Sequence, residues 1–211
     1  MGKLLLQLSE GMVVSLKVFV LTLVFSLPLG FVVCRGKMSR FKPLSFIVDL
    51  YIQIMRGTPL ILQLIFFYFA PYYLFGFSFQ RFTAAIIAFT INYSAYFAEI
   101  YRSGLQAVDK GQYEACRVLG FTKSHTFFHI ILPQVMKTVM PSLGNEVITL
   151  VKDTALASTI GVIELFRVAQ TSSSRIFSTM PIFIAGVFYF IMNYIVSKAF
   201  ALIERKLDYY N

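Results

Sequence analysis

Gly111-Gln-Tyr-Glu-Ala-Cys-Arg-Val-Leu-Gly120-Phe-Thr-Lys-Ser-His-Thr-Phe-Phe-His-Ile130-Ile-Leu-Pro133 is a polar, charged stretch in a chain that otherwise looks built for lipid. Most connections in compact folds run only about 4–6 residues. A longer one with patterned chemistry usually docks something or covers something. The chain around it is 57% hydrophobic and 14% charged, whereas soluble domains carry about 25% charged residues. Its 211 residues allow one domain, 1–211, of the membrane class.

Working outward, five apolar runs approach the roughly 20 residues a bilayer demands. They cover 11–34, 58–75, 82–101, 134–154 and 181–203, so the membrane part is about 11–207 and the polar segment is 110–133. Pro59 opens the second run, at a position tolerated in a first helical turn. The net charge of +9 does not form the continuous stripe that nucleic acid requires. It flanks the apolar runs instead, as a topogenic signal does. Thirteen Lys and Arg, among them Arg35, Lys37, Arg56, Arg102 and Arg117, fall on one side; six, among them Lys3, Arg81 and Arg175, fall on the other. The richer side is the cytosol by the positive-inside rule, which puts the N-terminus outside, the C-terminus inside and the 110–133 loop in the cytosol. The sequence has no tryptophan, so interfacial anchoring falls to Tyr68, Tyr72, Tyr73, Tyr101, Tyr209 and Tyr210.

Smaller features fit the same picture. Residues 45–57 alternate apolar and polar positions at helical spacing, as expected of an interfacial helix. Thr171–Ser174 reads as outer loop. Lys17 snorkels to the interface. Cys34 and Cys116 both lie on the cytosolic side, which disfavours a disulfide. The run after Lys3 is too long for a signal-peptide core and reads as a retained span. His125 and His129 have i, i+4 spacing without a third ligand nearby, so no metal site is expected. No catalytic triad or carboxylate pair is recognisable.

Within the polar stretch, 111–120 reads as a short amphipathic helix closed by Gly120, since glycine accepts the left-handed conformation freely. Thr122 or Ser124 then caps a second helix running to Ile131. Pro133 restricts Leu132 and marks the turn into the fourth span.

The spacing Glu114-Ala115-Cys116-x3-Gly120-x9-Ile130-x-Leu132-Pro133 resembles the EAA loop of ABC importer permeases, with Cys116 in place of the second alanine. Arg56-Gly57-Thr58-Pro59-Leu60, Asn92-x-Ser94-Ala95-Tyr96-x2-Glu99-Ile100 and Gly144-Asn145-Glu146-x3-Leu150-x-Lys152-Asp153-Thr154 are similar to the polar amino acid branch of that family. The resemblance implies an all-α, five-span subunit with a MetI-like core in a two-fold dimeric permease of the bacterial cell membrane. Its partners would be an ATP-binding-cassette ATPase, a second permease copy or paralogue, and an extracytoplasmic solute-binding protein that delivers a polar amino acid. ATP and Mg would sit on the ATPase, with no cofactor on this chain, which has no G-x4-G-K-[ST] phosphate loop. The chain would then be a transport subunit rather than an enzyme. Carried over onto this sequence, Glu114, Ala115, Cys116, Gly120, Ile130, Leu132 and Pro133 would couple to the ATPase, with Ala115 and Cys116 permitting close approach.

Charges at mid-bilayer cost at least about 2.5–3.5 kcal/mol each, so polar groups within the spans should face protein or water. Asn92, Tyr96 and Glu99 share one face of the third span; Asn145, Thr149 and Lys152 share one face of the fourth, with Glu146 and Asp153 beside them. Together they are candidates for a polar path. Lys152 and Asp153 offer a cation and an acceptor for a zwitterion, or alternatively Lys152 pairs with Asp153 or Glu164 to brace the helices. Two rivals stand beside the importer: a proton- or ion-coupled secondary transporter using Glu99, Glu146 or Asp153, and a membrane-embedded enzyme.

Overall fold

A computed structural model describes residues 2–207, and Tyr209 and Tyr210 of the expected aromatic belt lie outside them. Among the described residues the fold is helical, with no strand. The first helix, α1, covers Gly2–Lys37, longer at both ends than the 11–34 run. Its buried positions are Leu8, Gly11, Ser15, Val18, Thr22, Ser26, Gly30 and Cys34, a stripe of mostly small residues at three- and four-residue spacing. Helices in lipid gain little from apolar burial against each other, and small residues let their backbones approach and pack. The partner is α4, Arg81–Ala107, which buries Ala84, Ala85, Ala88, Ala95 and Ala98. At the closest approach, a Cβ on Gly30 would lie 2.8 Å from Phe97 Cβ and 3.1 Å from the Ser94 carbonyl.

Helix α2, Lys42–Gly57, is followed by α3, Leu60–Phe75, with a bend of 113° between them. The break falls at Thr58 and Pro59, both extended. Pro59 is therefore the cap before α3 and not part of its first turn, and it forces Thr58 out of helical geometry. The carbonyl of Met55, freed by the break, accepts from Gln63 Nε2 and Asn92 Nδ2, each at 3.0 Å.

Helix α5 spans Lys110–Val118, α6 is the short Lys123–His125, and a π-helical turn over Thr126–Ile131 leads into α7, Leu132–Asp153. The turn expected at Pro133 does not occur. Leu132 is helical, with φ −57° and ψ −42°, and Pro133 sits in the first turn of α7. The π segment resolves the conflict between proline and a continuous helix. Its wider ring bonds Leu132 N–H to the Phe127 carbonyl. Gln134 Nε2 then serves the Ile130 carbonyl at 2.8 Å.

After a 3₁₀ stretch, Thr154–Ile160, comes α8, Leu165–Ile176, and then α9, Met180–Leu207. Thr171–Ser174 lies inside α8 and is not loop. Thr171 and Ser174 donate their hydroxyls to the Arg167 and Gln170 carbonyls four residues back, which removes their competition with the helix. The start of α8 is held by Glu164, which is fully buried. Its carboxylate accepts from the N–H groups of Phe166 and Arg167 and from the hydroxyls of Ser15 and Tyr189, tying α8 to α1 and α9. Burial pushes this carboxyl up, against the pull of those four donors.

Among the described residues, α1 and α9 are long and apolar enough to cross a membrane, and the bent α2–α3 pair supplies a third such stretch. The remaining long helices, α4 and α7, are the polar ones, and they pack on each other. Gly104 of α4 lies so close to Val135 and Val139 of α7 that a side chain there would collide.

Candidate functional site

Two regions carry the polar residues singled out in the sequence: the 110–133 segment and a cleft along α4 and α7. The segment begins with Asp109, whose side chain accepts from Gly111 N–H at 2.6 Å and caps α5. At the far end, Gly120 N–H bonds the Arg117 carbonyl at 3.1 Å and Phe121 N–H bonds the Cys116 carbonyl at 3.0 Å. These are the two bonds of a Schellman motif, which needs a left-handed residue, and Gly120 has φ +74°. Thr122 caps the following helix by accepting from His125 N–H at 3.2 Å; Ser124 does not. His125 and His129 stack with ring centroids 4.3 Å apart, and no group of three or more potential metal ligands occurs among the described residues.

The segment shows an apolar face to its surroundings. Val118 is 87% exposed and Leu119 69%, and Tyr113, Phe121 and Phe128 are exposed beside them. Glu114 and Ala115 are exposed on α5 as well. Cys116 is not: it is 4% exposed and is the one buried residue of α5. The expectation that Cys116 allows close approach by a partner is therefore corrected. On a nine-residue amphipathic helix it is the inward anchor, a small weakly polar side chain suited to burial. Ile130, Leu132 and Pro133 are half-buried at the root of the segment.

The cleft consists of two cavities sharing Tyr96 and Glu146. The inner one, about 480 Å³, is lined by Arg56, Tyr96, Glu99, Ser142, Asn145 and Glu146 among others. The other, about 250 Å³, is lined by Thr58, Leu60, Asn92, Tyr93, Tyr96, Glu146, Thr149 and Asp153. Seven of the eight path candidates thus converge; Lys152 does not line either cavity and is exposed. Lys152 also pairs with neither Asp153 nor Glu164. Neighbours in sequence on a helix point in different directions. Asp153 Oδ2 instead accepts from Tyr93 OH at 2.7 Å, and Glu164 is occupied at the start of α8.

Glu99 sits at the inner edge in a knot of charge. Its carboxylate is 2.6 Å from Lys37 Nζ and 2.8 Å from Arg102 Nη2, with Arg56 Nη1 at 3.8 Å. Lys37 also reaches Asp49 at 2.8 Å, so α1, α2 and α4 are joined at one point. Arg56 lies over the Tyr96 ring, 5.4 Å from its centroid.

Sequence reading missed three residues that line or brace the cleft. Arg56 lines the inner cavity as a cation beside Arg102 and is delivered by the bend after α2. Tyr93 holds Asp153. Gln63, buried, donates to the Met55 and Thr58 carbonyls and accepts from Asn92 at 2.9 Å, fixing the bend. A lone amide in the apolar run 60–75 was a visible signal for Gln63; nothing local marked Tyr93.

Residues 26–209 match the family described as binding-protein-dependent transport system inner membrane component. The chain is 38% identical over 199 residues to the arginine transport system permease protein ArtQ of Bacillus subtilis (strain 168), covering 94% of this chain and 91% of the relative. It is 38% identical over 204 residues to the putative glutamine transport system permease protein GlnP of Rickettsia bellii (strain RML369-C), covering 96% and 94%. A crystal structure of an amino acid ABC transporter with histidines contains a chain that superposes with a TM-score of 0.89 at 38% identity, covering 98% of this chain and 96% of that one.

Proposed function

This chain belongs to the family of binding-protein-dependent transport system inner membrane components, and from that premise we propose that it serves a bacterial importer of polar amino acids. It is the permease subunit of an ABC importer, and its relatives are named for amino acid transport. The observation that carries the reading is the apolar, glycine-cornered face of 110–133, projecting from the same end of the molecule as the Lys37–Glu99–Arg102 knot.

In this reading α1, α2–α3, α4, α7 and α9 form five spans, with the N-terminus outside and the 110–133 segment in the cytosol. Two permeases associate about a two-fold axis, the commonest closed symmetry. ATP and Mg reside on a separate ATPase that grips Glu114, Ala115 and the exposed apolar side chains around Gly120. Nucleotide binding draws the two segments together and hydrolysis releases them, so family membership assigns the driving force to ATP and not to a proton gradient. A solute-binding protein delivers the amino acid from outside. The α4–α7 cleft is the substrate path: Arg56 suits a carboxylate. Glu146 and Asp153 suit an ammonium group. Arg56 thus takes the cationic role first considered for Lys152.

The test is purification of the complex from native membrane, followed by reconstitution in liposomes. An ATPase that co-purifies, and hydrolysis that rises when binding protein loaded with a polar amino acid is added outside, supports the reading. Uptake that proceeds without ATP and collapses with the proton gradient would overturn it.

A further inference from the structure

We propose that a basic hollow at the start of α2 binds an anionic phospholipid of the cytosolic leaflet; this rests on the orientation given under Proposed function. The hollow, about 480 Å³, lies between the end of α1, the start of α2 and the end of α4, and is lined by Lys37, Ser39, Lys42, Ser45, Phe46 and Arg102 among others. Lys37 and Arg102 are already shared with Glu99 and Asp49. Lys42 is exposed and makes no ion pair among the described residues, and neither do Arg35 and Arg40 beside it in the chain. Three cations, Lys37, Lys42 and Arg102, therefore line the hollow with the single carboxylate of Asp49, and the excess is positive.

The second half of the site is apolar. Phe46, Ile47, Leu50 and Ile54 are all exposed, and their spacing places them along one side of α2. Phe46, 70% exposed, also lines the hollow, so the basic pocket opens directly onto the apolar strip. Lys42 opens the bent α2–α3 span at its cytosolic end, which sets this strip against lipid next to the headgroups. A phosphodiester fits against Lys42 and the Ser39 hydroxyl while its acyl chains lie on Phe46, Ile47 and Leu50. A zwitterionic lipid brings its own ammonium into a surplus of cations, so an anionic headgroup is preferred. Arg102 lines both this hollow and the inner cavity of the cleft, so a bound phosphate competes with Glu99 for Arg102 and connects lipid composition to transport.

The experiment uses the permease–ATPase complex in nanodiscs of equimolar phosphatidylcholine and phosphatidylglycerol, with native mass spectrometry of the lipids retained. Wild type is expected to keep phosphatidylglycerol severalfold over phosphatidylcholine. Lys42→Glu and the milder Lys42→Gln are expected to lose that preference, and Arg205→Glu, at the far end of α9, to keep it. Equal retention of the two lipids, or a preference that survives both Lys42 substitutions, overturns the site. So does displacement by millimolar inorganic phosphate, which would mean a free-anion site, or lipid retention by the single permease that vanishes in the assembled pair, which would mean a second copy covers it. Substrate-stimulated hydrolysis is read in the same discs. Normal hydrolysis without lipid preference removes only the lipid site; absent hydrolysis in every sample is a failure of the importer reading instead.

Discussion

The 110–133 segment and the α4–α7 cleft handle polarity in opposite ways. The segment satisfies its backbone locally, through Asp109, the Gly120 corner and Thr122, and turns apolar side chains such as Val118 and Leu119 outward. The cleft turns its polar side chains inward and satisfies them across distance: Tyr93 with Asp153, Asn92 with Gln63, and Glu99 with Lys37. A surface that leaves apolar side chains such as Val118 and Leu119 turned outward is suited to meeting another protein. A cavity whose groups are only partly paired is suited to meeting a small polar solute.

That contrast can be broken at several points. The largest effect is expected from Glu114→Lys combined with Ala115→Tyr, which leaves the caps untouched but reverses charge and adds bulk on the exposed face. ATP-driven uptake in proteoliposomes should fall at least tenfold while membrane insertion is unchanged. Gly120→Val comes next. A β-branched residue in the left-handed region costs about 1–3 kcal/mol, so the corner should open and uptake fall severalfold, with little change in the thermal stability of the spans. Tyr93→Phe strips the half-buried Asp153 carboxylate of its donor, worth about 1.5–3 kcal/mol. It should alter substrate affinity in a transport assay while basal ATP hydrolysis stays near wild type. The smallest effect is expected from Lys152→Ala, because the side chain is exposed and outside both cavities; uptake affinity should not change. A marked loss there would put the path on the other side of α7.

The same contrast explains what could be read from sequence. The segment was legible because its signals are local: a glycine two residues past a helix end, a Thr three residues before a backbone donor, and fixed spacing between them. It was misread at two points: the turn at Pro133 came from a proline rule that a π turn circumvents, and Cys116, expected to face a partner, is the buried residue of α5. The face of α4 was legible from its i, i+4, i+7 spacing, since Asn92, Tyr96 and Glu99 all line the cleft; on α7 the spacing held for Asn145 and Thr149 but not for Lys152. Arg56 and Tyr93 were not legible, because their place in the cleft depends on a 113° bend and on a partner 60 residues away. The small-residue stripe of α1 was present in the sequence at near-regular spacing, yet its meaning appears only against the alanines of α4.

The central claim is that this chain is driven through its 110–133 segment by an ATPase on another subunit. The most direct measurement is ATP hydrolysis by the purified complex in liposomes, with and without substrate-loaded binding protein, for wild type and for the Glu114→Lys, Ala115→Tyr variant. The account predicts stimulation in wild type, and in the variant loss of both stimulation and ATPase association with the permease still folded and inserted. Equal stimulation and uptake in the two would contradict it.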